Sequence, residues 1–76
     1  MKTTIHQAIL AHQEGRLEEA ERLYCEILQI QPTNIDVNNN LGILLYSLGK
    51  LAESEACYRK AIELKPDFAE AHNNLG

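Results

Sequence analysis

Asn39-Asn40-Leu41-Gly42 returns as Asn73-Asn74-Leu75-Gly76, 34 residues further along the chain. The same interval carries Gly15 onto Gly49, Leu17 onto Leu51, Glu19 onto Glu53, Tyr24 onto Tyr58 and Pro32 onto Pro66. A fixed period of this length marks a stacked array, in which each unit is one supersecondary element unable to bury its apolar face alone. The period divides a single array spanning 1–76 into units 1–34 and 35–68 and a partial unit 69–76.

Within each unit the apolar spacing is helical. Val37, Leu41, Leu44, Leu45 and Leu48 follow i, i+4, i+7, i+8, i+11, which is one stripe of a helix. Ala20, Tyr24, Ile27 and Leu28 form such a stripe in the preceding helix, and Tyr58, Ala61 and Ile62 in the following one. Thr4 with Gln7 reads as a capping box opening a first helix, which Gly15 closes in a left-handed conformation. Further helices are predicted over 18–30, 35–48 and 52–64, with Gly49, Pro32 and Pro66 as stops. Asp67 with Glu70 reads as another capping box, opening a fifth helix. Glu18–Arg22 and Glu55–Arg59 have ion-pair spacing on solvated faces. Small residues (Ala8 and Gly42, Ala20 and Ser54) stand where paired helices cross closely, and each tyrosine is expected to fill the gap they leave.

The residues shared between units resemble the tetratricopeptide repeat, a helix–turn–helix. The second unit is similar to that pattern in Asn38-Asn39-Asn40-Leu41-Gly42, Gly49, Ala52-Glu53, Tyr58, Ala61-Ile62 and Pro66. In the first unit the match rests on Ala8, Gly15, Leu17, Glu19-Ala20, Tyr24, Ile27 and Pro32. Gln7 stands where the pattern wants Leu, Ser54 and Ile27 where it wants Ala, and there is no Trp. The resemblance implies an all-α fold, a fragment of a right-handed α-solenoid.

Bulk properties exclude several function classes. Seven Lys and Arg against eleven Asp and Glu give a net charge of −4, with no basic cluster of the kind that nucleic acid demands. The apolar stretch around Ile43 to Tyr46 is too short to span a bilayer, and the first residues lack a secretory signal. Two cysteines are no disulfide framework; Cys25 is expected at the surface and Cys57 as a small core residue. A chain of 76 residues buries about 60% of its unfolded surface and needs neighbours for a secure core. These features predict a soluble, cytoplasmic protein.

Subtracting the core stripe from the helix over 35–48 leaves Asn39, Ile43 and Tyr46 on the opposite side, flanked by Asn40 and Ser47. The equivalents in the first helix are Ile5, Ile9 and His12, flanked by His6 and Gln13. Asn73 and Asn74 continue the series. The family resemblance implies that this side lines a concave groove holding a peptide segment of a partner protein. An asparagine carboxamide offers both donors and an acceptor, enough to bracket a peptide group that loses water on binding. Asn40 and Asn74 occupy the slot that resembles the asparagine ladder of arrays preceding protein glycosyltransferases, and His6 interrupts it. The alternative is that the asparagines are solvated, or that Asn38 and Asn74 bond neighbouring helices. The Lys, Arg and Asn clamp by which related arrays hold acidic chaperone C-termini is not available, since its slots hold Ile5, Ile9, Asn39 and Ile43.

No catalytic constellation is present. His6, His12 and His72 lack metal-ligand spacing, and Ser47 and Ser54 have no His and acid arranged around them. No cofactor motif occurs. The reading is therefore an interaction scaffold. The alternative is that these are the N-terminal, substrate-presenting repeats of a larger glycosyltransferase or sulfotransferase. The period breaks early in its third unit, and stacked arrays need a polar terminal cap. This predicts a longer array or self-association through the uncapped C-terminal end.

Overall fold

A computed structural model describes residues 4–66. Among the described residues four helices follow one another: α1 (Ile5–Gln13), α2 (Leu17–Ile30), α3 (Ile35–Ser47) and α4 (Leu51–Leu64). α1 packs against α2 and α3 against α4, giving two helical hairpins. α2 also packs on α3, joining the hairpins, while α1 and α3 meet at fewer places. No strand is found among the described residues.

Local sequence sets each boundary. Thr4 Oγ1 accepts from the Gln7 amide at 3.2 Å and Gln7 Oε1 accepts from the Thr4 amide at 3.0 Å, so both arms of the predicted capping box are in place. Gly15 and Gly49 adopt φ of 81° and 79°, where a side chain would be strained. The Gly15 amide donates to the His12 carbonyl at 3.1 Å and the Arg16 amide to the Ala11 carbonyl at 2.9 Å. Gly49 and Lys50 repeat the pattern onto Tyr46 and Leu45 at 3.0 and 2.9 Å. α1 and α3 thus end in the same Schellman motif, and the period extends to individual hydrogen bonds. α2 and α4 begin one residue earlier than predicted, because the motif leaves Arg16 and Lys50 as their N-caps. α3 opens on Asn34, whose side chain accepts from the Val37 amide at 3.0 Å.

The core follows the predicted stripes. Ala8, Ala11, Ala20, Tyr24, Ile27, Val37, Leu41, Leu44 and Leu45 form one buried cluster, with Leu28, Leu48 and Cys57 packed at its edge. Tyr58 and Ala61 are buried beneath α3. Ser54 Oγ donates to the Gly42 carbonyl at 2.7 Å, marking the close crossing of α3 and α4 that the small residues permit. Cys25 is exposed. Burial pushes the Cys57 thiol up to about 11 and also raises Cys25, which keeps both as neutral thiols at physiological pH.

One ion pair differs from expectation. Arg22 reaches forward to Glu26 at 2.6 Å rather than back to Glu18, while Arg59–Glu55 forms as predicted at 3.0 Å. Glu–Arg spacings occur in both directions from Arg22, so spacing alone does not select the partner. Lys50 Nζ bonds both carboxylate oxygens of Glu21 at 3.1 Å and ties the start of α4 to α2. The predicted capping box at Asp67 and Glu70, and the core positions Ala71 and Leu75, lie outside the described residues.

Candidate functional site

α1 and α3 are the first helices of the two hairpins, and a cleft of about 320 Å³ lies between them. Ile9, His12 and Gln13 of α1, Tyr24 of α2 and Asn40 of α3 line it. The two glycine stops give each hairpin the same turn, and the packing of α2 on α3 sets the hairpins beside one another. None of the five lining residues is an acid, Lys or Arg. The cleft combines apolar contact area with carboxamide, imidazole and phenol groups.

The predicted groove residues do not all reach the cleft. Ile9, His12 and Asn40 share the cleft, with Asn40 and His12 half-buried. Tyr46 is 64% exposed on α3 and His6 is exposed on α1, whereas Ile43 is half-buried. Ile5 and Ile9 are also half-buried, packed against the core cluster. That explains an apolar residue at these slots without a ligand, and at Ile9 it coexists with a place in the cleft. Asn73 and Asn74 lie outside the described residues.

Asn39 departs from its predicted outward position. It is only 2% exposed and is not without a partner. The helical wheel puts it on the outer face, whereas the folded chain buries it. Asn38 is buried as well: its Nδ2 donates to the Asn34 carbonyl at 3.0 Å and the Pro32 carbonyl at 3.4 Å. Of the three consecutive asparagines, Asn38 and Asn39 are buried and Asn40 lines the cleft. Ser47 spends its hydroxyl on the Ile43 carbonyl at 3.2 Å.

Tyr24 is the residue that sequence reasoning places in the core without a role in the groove. Its ring is 1% exposed, but its hydroxyl reaches His12 Nδ1 at 3.3 Å and the two rings meet edge to face at 6.1 Å. A signal existed, since a buried tyrosine needs a polar partner for its O–H. Burial lowers the His12 pKa below its ordinary value and raises that of Tyr24. Both groups are held neutral.

A family model described as TPR repeat matches residues 44–76, and a second described as tetratricopeptide repeat matches residues 5–34. The chain belongs to the tetratricopeptide repeat family. No curated protein matches it. Tetratricopeptide repeats generally mediate interactions between proteins, as non-catalytic scaffolds. Among the described residues no helix of this repeat protein is long and apolar enough to cross a membrane, and no group of three or more His, Cys, Asp or Glu is placed to hold a metal ion.

Proposed function

We propose that this tetratricopeptide repeat chain binds a peptide segment of a partner protein along the face formed by α1 and α3. The observation that carries the reading is the cleft itself. It brings Ile9, His12 and Asn40, taken from equivalent helices of the two hairpins, into one uncharged hollow. Tyr46, exposed on the same helix as Asn40, offers an aromatic ring, a residue type enriched among interface hot spots. Asn40 supplies donors and an acceptor suited to a main-chain peptide group.

The test is selection of peptides from a random display library on the full chain. It is followed by mapping the bound peptides on the protein by amide chemical shifts. The reading expects shifts concentrated on α1 and α3 around Ile9, Asn40 and Tyr46. Selected peptides that map instead to the outer faces of α2 and α4 would remove it.

A further inference from the structure

The bond between Tyr24 and His12 fixes more than packing. Tyr24 is buried, and the hydrogen bond found for its hydroxyl is the one to His12 Nδ1. A phenol in such a site is best placed as the donor, and a neutral imidazole can accept only at its unprotonated nitrogen. Tyr24 O–H donating to Nδ1 would leave the ring proton on Nε2. In that tautomer the opposite edge of His12 carries an N–H donor, and the other polar side chains lining the cleft beside the pair belong to Gln13 and Asn40.

We propose that His12 and Asn40 form a subsite for one uncharged amide or peptide carbonyl of the bound segment, with Tyr24 acting as a positioning residue that sets the His12 tautomer. The proposal rests on the groove reading above and names the ligand chemistry at its centre. His12 Nε2–H donates to the carbonyl oxygen, the Asn40 carboxamide brackets the adjoining N–H, and Ile9 packs beneath. Charge selects the occupant. The five lining residues include no ionised group near neutral pH, and the chain carries a net charge of −4, which disfavours a carboxylate. Tyr24 is the titratable group that α2 sets against His12, and α3 presents the uncharged Asn40; burial lowers the His12 pKa. A ligand that covers the cleft deepens that burial and favours the neutral ring still further.

The experiment is nitrogen-detected NMR of the His12 ring in the full chain. It is run alone and with two blocked peptides: one of alanine, serine and glutamine, and its counterpart with glutamate replacing glutamine. Free protein is expected to show an unprotonated Nδ1 and a protonated Nε2, and Tyr24→Phe to mix the tautomers while helicity persists. The uncharged peptide should shift His12 Nε2 and the Asn40 side-chain amide, and bind less tightly as pH falls through the His12 titration. His12→Ala and Asn40→Ala should each weaken it about threefold to tenfold, the range for one hydrogen bond. A protonated Nδ1 in the free protein, or tighter binding of the glutamate peptide, overturns the proposal. Shifts at Ile43 and Tyr46 without any at His12 overturn the subsite and leave the groove. If neither peptide binds, while peptides selected on the chain map to α1 and α3, the subsite fails by its chemistry alone. Loss of that mapping too removes both.

Discussion

The ring of Tyr58 occupies the space that a side chain on Gly42 would need: a Cβ there would stand 2.6 Å from Cε1 and 2.8 Å from Cδ1. The glycine on α3 and the tyrosine on α4 are one packing device, and the contact sets how closely the two helices cross. Tyr58 is 4% exposed and its ring is rigid, so it cannot swing aside cheaply.

Gly42→Ala is accordingly expected to destabilise the chain by about 1–3 kcal/mol, the usual cost of overpacking. Alanine's better helix propensity, worth about 1 kcal/mol, offsets part of this. Urea unfolding measures the change. The cost should shrink when Tyr58 is replaced by leucine in the same chain; a stabilised Gly42→Ala would contradict the contact.

Ser54→Ala removes the hydroxyl that donates to the Gly42 carbonyl at 2.7 Å. Because alanine occupies the equivalent Ala20 position of the first hairpin, its volume is tolerated there. The expected loss is about 0.5–1.5 kcal/mol, one net hydrogen bond. A loss well above that range would mean that the bond organises the crossing rather than decorating it.

Gly15 and Gly49 have φ of 81° and 79°, and nothing lies within 4 Å of where a Cβ would stand on either, so their substitution costs are purely conformational. Gly15→Ala and Gly49→Ala should each cost about 1 kcal/mol, and the asparagine variants less, because asparagine tolerates the left-handed region. Unequal costs at the two sites, measured by thermal unfolding, would show that the period does not hold at the level of energetics.

Acidification tests the His12 environment. Its pKa is lowered in the folded chain, so folding favours the neutral ring and its contribution is fully present above the ordinary value of about 6.5. Stability should fall as pH drops from about 6.5 towards the folded pKa, and this part of the slope should vanish in His12→Gln. Urea midpoints between about pH 7.5 and 5.5 keep most carboxylates ionised and isolate the effect. A His12→Gln chain with an undiminished slope would place the titrating group elsewhere.

Most of the fold was legible because the period repeats backbone chemistry. Gly15 and Gly49, the Thr4–Gln7 box and the leucine stripe of α3 each act locally, and each appears where its residues predict. The site was less legible. Asn39 and Asn40 are adjacent and chemically identical, so only tertiary packing decides that one is buried and the other reaches the cleft. Tyr24 lies in the core stripe by spacing, and its hydroxyl finds His12 only once the Gly15 turn has folded α2 back along α1. Such pairings depend on rotations of a few tens of degrees about a helix axis, which residue spacing does not resolve.

The central claim is that the α1–α3 face binds a peptide, with Asn40, Ile43 and Tyr46 its candidate contacts on α3 beside Ile9 and His12. It is tested most directly by the affinity of a library-selected peptide for the full chain and for the triple variant Asn40→Ala, Ile43→Ala, Tyr46→Ala. Tyr46 is largely exposed and the other two only half-buried, so the helical circular dichroism signal should persist. Affinity is expected to fall at least tenfold, as loss of an exposed aromatic anchor with its neighbours implies. Undiminished affinity in a helical triple variant would contradict the account.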